Sequence, residues 1–88
     1  MNKGITFQNE GFEGYLYWQT QDWKTLKRIN LLLKDIDRNG HAGIGKPEPL
    51  KHKFQGWWSR RIDDENRLIY RIVGNEIQIL SCRFHYDG

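Results

Sequence analysis

Nowhere in this 88-residue chain does an apolar run approach the ~20 residues that a membrane-spanning helix needs. The opening segment, MNKGITFQNEG, lacks the apolar core of a secretory leader, so an intracellular, cytoplasmic protein is expected. The single cysteine, Cys82, cannot close an internal disulfide, in keeping with a reducing compartment. One Cys and three scattered His (His41, His52, His85) match no zinc-ligand spacing, and no cofactor is expected. The chain is long enough for one domain over residues 1–88 with a modest core, and too short for a second domain or a deep enclosed cofactor site. Repeats and low-complexity stretches are absent. Proline is scarce as well: the only two, Pro47 and Pro49, flank one carboxylate, Glu48.

Aromatic residues and positive charge are plentiful. Four Trp, four Tyr and four Phe accompany a net charge of +3, and Lys and Arg crowd the segment from Lys46 to Arg71. Cations neutralise phosphates while rings stack on bases, so the mixture suits a nucleic acid. More than half of the rings are nevertheless expected to fill the core of so small a domain.

GITF reads as a first strand over residues 3–7. Asn9 can cap a first helix running to about Gln19, with Phe12, Tyr15, Leu16 and Trp18 or Gln19 at helical spacing. Gly11 and Gly14 weaken that helix by roughly 1 kcal/mol each relative to Ala, so it must owe its stability to packing. A second helix starts at an Asp22 cap and carries Trp23, Leu26, Ile29, Leu32 or Leu33, and Ile36 on one stripe. Lys24, Lys27, Arg28, Lys34 and Asp35 form its wet face, and Asn39-Gly40 ends it. HAGIGKPEP reads as loop. Three strand-like runs follow: WWSRRI, RLIYRIV and EIQILSCR, the last two joined by a tight turn at Gly74-Asn75. In the middle run Leu68, Tyr70 and Ile72 face one way, and Arg67, Ile69 and Arg71 the other. The pattern predicts an α+β domain: an N-terminal strand and two helices packed on a twisted antiparallel sheet whose open face carries arginines.

The candidate chemistry lies in four places. Prolines on both sides restrict Glu48 to an extended conformation, which fits a carboxylate that must keep its aim, or merely a rigid loop with Glu48 paired to Lys46 or Lys51. Arg61 and Arg67 flank the DDEN turn and, if paired, ask for an anion: Glu65 within the chain or a phosphate outside it. His85, beside Tyr86, can give or take a proton near neutral pH. RNA can be cut without metal by activating its 2′-hydroxyl against the adjacent phosphate. That reaction needs a base, cations for the charge gathering on phosphorus-bound oxygens, and an acid for the departing oxygen. Glu48, Arg61 and Arg67 with Lys51, and His85 cover the three tasks.

YLYWQ, RIN, GIGKPEPLKH, WWSRRI, RLIY and CRFHY together resemble the YoeB/Txe branch of the RelE-type toxin superfamily, from about Tyr15 to Tyr86. The resemblance implies a microbial-ribonuclease-like α+β toxin: a ribosome-dependent endoribonuclease that cuts mRNA in the A site and is neutralised by a partly disordered, YefM-like antitoxin. It implies Glu48 as general base, Lys51 as a phosphate contact, Arg61 and Arg67 as anion stabilisers, His85 as general acid and Tyr86 as a positioning or stacking group. Glu65 would orient Arg61 or Arg67, and a homodimer is expected. Three departures stand out: Asn66 where the branch usually has His, NGHAG where it tends to have NPFEG, and Asp87-Gly88 after the closing HY. Loss of the Pro-Phe pair is expected to loosen the loop or to alter antitoxin contacts. The alternative is a non-catalytic RNA- or DNA-binding module, or an antitoxin-sequestering relative, of the same fold.

Overall fold

The structure, a computed structural model, describes residues 1–85; Tyr86, Asp87 and Gly88 lie outside the described residues. The elements are β1 (Gly4–Phe7), α1 (Asn9–Gln21), α2 (Trp23–Asn39), β2 (Glu48–Pro49), a short 3₁₀ turn (His52–Phe54), β3 (Trp58–Arg61), β4 (Arg67–Val73) and β5 (Glu76–Ser81). The five strands form one sheet in the order β1-β5-β4-β3-β2. The α+β class holds, but the sheet is mixed rather than antiparallel throughout. β1 runs parallel to β5, with Ile5 opposite Ile77. A strand followed by two helices returns to the far edge of a sheet instead of making a hairpin with its sequence neighbour, so its direction is set by the crossover.

The helix α2 is built as its sequence dictates. The Asp22 carboxylate accepts from the amides of Lys24 and Thr25, satisfying donors that the first turn leaves over. Leu26, Ile29, Leu32, Leu33 and Ile36 are buried against Leu68, Tyr70, Ile77 and Ile79 of the sheet. Gly40, at φ 65°, ends the helix in the left-handed region that costs a Cβ-bearing residue most. Trp23 departs from the expected stripe and is 64% exposed, because the first helical residue stands beyond the end of the packed layer.

The helix α1 differs from expectation in its face and in its cap. Gln8 rather than Asn9 occupies the cap position, with no side-chain hydrogen bond there. Its contact with the sheet is made by Gly11, Gly14 and Trp18, while Phe12 and Leu16 are 49% and 43% exposed. A Cβ on Gly11 would lie 2.6 Å from the Ile79 carbonyl oxygen, and one on Gly14 3.0 Å from the Cys82 sulfur. The two glycines therefore let the helix backbone rest directly on β5. That close approach turns the outer hydrophobic residues towards solvent, and it supplies the packing that the weak helix propensity required.

The hairpin β4–β5 closes at Gly74-Asn75, with Val73 opposite Glu76. Pro-Glu-Pro, expected as loop, instead contributes a two-residue edge strand: Glu48 opposes Ser59 and Pro49 opposes Trp58. An extended backbone lacking proline N–H groups is tolerated at a sheet edge, where only one side needs pairing. The Leu50 amide continues the ladder to the Trp57 carbonyl at 2.9 Å. Side-chain alternation holds across the sheet except at a register shift between Ile69 and Tyr70, where Ile69 opposes Ser81 and Tyr70 opposes Ile79. Trp58, Arg60, Leu68, Tyr70, Ile72, Ile77 and Ile79 face the helices, and Glu48, Ser59, Arg61, Arg67, Ile69, Arg71, Gln78 and Ser81 share the opposite face.

Candidate active site

The platform beneath the site is organised by Arg60. Adjacent residues on a strand point to opposite faces, so one arginine of Arg60-Arg61 must enter the helix side. The register places Arg60 opposite Leu68, and its side chain is fully buried at 0% exposure. Burying a guanidinium is tolerable only when its donors are met. All five are: Nε donates to the Tyr70 hydroxyl at 3.2 Å, and Nη1 donates to the Asp35 carboxylate and to the Ile44 carbonyl at 3.0 Å. Nη2 donates to the carbonyls of Gly40 at 2.6 Å and Ala42 at 2.9 Å. The Asp35 carboxylate also accepts from the Ile44 amide at 3.1 Å and from the Asn39 side chain at 2.8 Å. Burial pushes the Asp35 carboxyl upward, but the hydrogen bonds from Arg60, Asn39 and Ile44 outweigh it and hold the group below the usual carboxylate range. Asp35 is thus an anchor for the loop, not a member of the wet face of α2.

The loop carrying this network runs straight into Glu48. His41 stacks on Trp58 with centroids 4.0 Å apart and planes within 10°. Its Nδ1 lies 3.4 Å from the Tyr70 hydroxyl. Partial burial, and then the charge of Arg60, hold its imidazole below its ordinary value. Further along, the Arg61 amide donates to the Gly45 carbonyl at 2.7 Å. The NGHAG loop, without Pro-Phe, is held by other contacts. An aromatic stack and a buried guanidinium supply the anchor instead.

On the face away from the helices the register brings together Glu48, Arg61 and Arg67; Glu48 and Arg61 are exposed there, whereas Ser59, Arg67, Ile69 and Ser81 are buried. Glu48, Ser59, Ile69 and Ser81 form one cross-strand row, and Arg61 pairs directly with Arg67 two residues along. Standard strand spacing puts the Glu48 Cα about 8 Å from that of Arg61 and about 12 Å from that of Arg67, distances that long side chains span. Lys51 is exposed on the turn that follows β2. Arg67 is largely buried, and its Nη1 donates to the carbonyls of Asp63 at 2.6 Å, Asn66 at 3.1 Å and Asp64 at 3.3 Å. These carbonyls, rather than the Glu65 carboxylate, orient the guanidinium.

Glu65 is exposed on the β3–β4 loop and lines a cleft of about 310 Å³ together with Tyr17, Trp18, Asn66, Arg83, Phe84 and His85. This cleft opens at the Arg67 end of the sheet, since the Arg67 amide donates to the Phe84 carbonyl at 2.9 Å. Glu48 does not line it. The residues therefore fall into two adjoining groups, Glu48 with Arg61 and Arg67 on the sheet face and Glu65 with His85 in the cleft, joined through the main chain at Arg67. Tyr86 lies outside the described residues. Among the described residues, no three His, Cys, Asp or Glu side chains gather in a way that would hold a metal ion.

Backbone strain falls in the same places. Three described non-glycine residues have positive φ: Lys46 at 51°, His52 at 56° and Phe84 at 73°. Two bracket the Pro-Glu-Pro strand and the third precedes His85. Lys46 is doubly unusual, because a residue before proline is ordinarily driven to extended backbone. Such conformations cost on the order of 1–3 kcal/mol each and persist where surrounding contacts over-determine them, which is characteristic of functional segments.

Comparison with known proteins decides the family. The sequence pattern described as "YoeB-like toxin of bacterial type II toxin-antitoxin system" matches residues 7–86. The chain belongs to this family. A Toxin YoeB of Synechocystis is 54% identical over 83 residues, covering 94% of this chain and 96% of the relative. The structure of a YoeB dimer from Staphylococcus aureus superposes with a TM-score of 0.92 at 52% identity, covering 98% of this chain and all of the other. A heterotetrameric YoeB–YefM toxin–antitoxin complex from the same organism gives a TM-score of 0.90 at 52% identity.

Within this toxin, Arg60 and Asn66 are the residues that sequence reasoning passed over as site elements. Arg60 was hidden by its neighbour, since only the pairing of Trp58 with Tyr70 tells which of the two arginines turns inward. Asn66 showed only as a departure from its family's pattern, and its hydrogen bonds to Phe84 and Asp63 could not be read from it.

Proposed function

We propose that this toxin is a metal-independent endoribonuclease that cleaves mRNA on the ribosome. The observation that carries the reading is the shared sheet face of Glu48, Arg61 and Arg67, with the Arg67 amide bonded to the residue before His85. A binder of RNA gains nothing from a carboxylate held at the edge of a basic face, because it repels phosphate unless it accepts a proton.

In the proposed reaction Glu48 takes the proton of a ribose 2′-hydroxyl as that oxygen attacks the adjacent phosphorus. The bond from the 2′-oxygen to phosphorus forms while the bond to the 5′-oxygen breaks, and His85 supplies the proton that the departing oxygen needs. Arg61 and Arg67, with Lys51 at the margin, face the charge that builds on the non-bridging oxygens, where pre-positioned donors act most strongly. The products are a 2′,3′-cyclic phosphate and a 5′-hydroxyl. Tyr86 would position or stack on the substrate. A YefM-like antitoxin is the proposed partner, on the precedent of the Staphylococcus relative's complex with YefM, and the same basic face would receive its acidic residues in the resting complex. A homodimer is proposed on the precedent of the relative's dimer. No described helix is long and apolar enough to cross a membrane, and cytoplasmic action on translating ribosomes is the proposed setting.

The test is to induce the wild type and Glu48→Gln in cells and map mRNA 5′ ends. Cuts in phase with codons and confined to the wild type are expected. Growth arrest without new ends would favour a binding or antitoxin-sequestering module of the same fold.

A further inference from the structure

Phe84 is a bulky residue at φ 73°, a conformation that such side chains avoid, and it directly precedes His85. Something must hold it there. Its amide donates to Asn66 Oδ1 at 2.8 Å, and its carbonyl accepts from the Arg67 amide at 2.9 Å. Both ends of the residue are therefore fixed by the dipeptide Asn66-Arg67. Asn66 is itself immobilised: its amide donates to Asp63 Oδ1 at 2.7 Å, and its Nδ2 to Asp63 Oδ1 at 3.1 Å and Oδ2 at 3.2 Å. Its carbonyl accepts from the Ile62 amide at 3.0 Å and from the Asp63 amide at 3.3 Å. The side-chain orientation is chemically settled, because only the oxygen can accept from an N–H and only the nitrogen can donate to a carboxylate.

Asn66 thus bridges the β3–β4 loop, which cradles the Arg67 guanidinium, to the segment that carries His85. It also lines the cleft that His85 enters. We propose that Asn66 is a positioning residue: its side-chain amide holds Phe84 in the left-handed conformation and so fixes the direction from which His85 delivers its proton, in register with Arg67. The inference rests on the reading of His85 as the general acid. It assigns Asn66 no contact with the substrate.

A leaving-group substitution separates this role from general structural support. An mRNA whose scissile linkage carries a 5′-bridging sulfur expels a thiolate, which needs no proton donor, whereas the ordinary 5′-oxygen does. Single-turnover cleavage of the two linkages is measured on programmed ribosomes for the wild type, Asn66→Ala, His85→Ala and the double variant. Misplacing a proton donor by about 1 Å costs on the order of 10²-fold in rate. Asn66→Ala is therefore expected to slow cleavage of the oxygen linkage by about 10²-fold while leaving the sulfur linkage near the wild-type rate, the pattern also expected of His85→Ala. The double variant should be little slower than His85→Ala alone. Should the alanine variant fail to fold, Asn66→Leu, which keeps the branched skeleton and removes the amide, is read in the same way.

A wild-type rate on the oxygen linkage, or an equal loss on both linkages, overturns the inference while the catalytic reading of Glu48 and His85 stands. A wild type that leaves both linkages intact overturns that reading, and the inference with it.

Discussion

Replacing Arg60 with methionine removes the buried guanidinium but keeps much of its volume. Asp35 then loses its cationic partner, and the carbonyls of Gly40, Ala42 and Ile44 lose their donors. Deleting one member of a buried ion pair costs about 3–5 kcal/mol, because the survivor is left uncompensated. Asp35 retains bonds from Asn39 and the Ile44 amide, and Ala42 and Ile44 lie on an exposed loop that can rehydrate. These escapes place the expected loss at the lower end, about 3 kcal/mol. For a domain of this size the whole folding free energy is on the order of 5–15 kcal/mol, so Arg60→Met should remain folded with its melting temperature lowered by roughly 15 °C. Urea denaturation followed by tryptophan fluorescence measures the change. Asp35→Asn, which keeps an acceptor for Arg60, should cost less than half as much, and the two changes should be strongly non-additive. If Arg60→Met unfolds within 0.5 kcal/mol of the wild type, the scale of an ordinary surface substitution, then Arg60 does not organise the loop and the reasoning fails.

Alanine is a better helix former than glycine by about 1 kcal/mol, yet Gly11→Ala should destabilise the protein by about 1–3 kcal/mol because its Cβ meets the Ile79 carbonyl. A stabilised variant in the same urea assay would contradict the contact of α1 with β5. The depressed imidazole of His41 makes stability pH-dependent: in the window from the unfolded value of 6.5 down to the folded one, the unfolded chain binds more protons. Stability from this group is therefore present above the window and is lost as pH falls through it. The advantage of wild type over His41→Phe should shrink between about pH 7.5 and pH 5, modestly because the ring is exposed on one side, and a gap that widens on acidification would refute the assignment. Arg67→Ala should slow single-turnover cleavage by about 10²–10³-fold, and an unchanged rate would remove Arg67 from the charge-stabilising role.

Much of this architecture is written locally. The Asp22 cap, the stripe from Leu26 to Ile36 and the Gly74-Asn75 hairpin depend on residues within one or two turns of each other, so spacing alone reveals them. The arginine-bearing face follows from the period of two in RLIYRIV. What escaped depends on partners far away in the chain. The parallel pairing of β1 with β5 joins residues about 70 positions apart, and the glycine face of α1 has meaning only against Ile79 and Cys82. Pro-Glu-Pro became a strand because β3 offered it an edge. The site was legible to the same degree. Arg61 and Arg67 pair across their hairpin, as their positions suggested, and Glu48 joins their face only through the unforeseen edge strand, whereas the orientation of Arg67 by loop carbonyls rather than by Glu65 arises from a turn geometry that composition does not encode. His85 meets that loop through a left-handed Phe84, which no periodicity signals.

The central claim is that the toxin turns the RNA's own 2′-hydroxyl against the neighbouring phosphate, and the chemistry of the fragment ends tests it most directly. Purified wild-type protein, added to ribosomes translating a defined mRNA, should leave a 2′,3′-cyclic phosphate upstream of each cut and a 5′-hydroxyl downstream, and Glu48→Gln should leave neither. Fragments ending in a 3′-hydroxyl and beginning with a 5′-phosphate would show that water, not the ribose, attacks phosphorus, and would contradict the account.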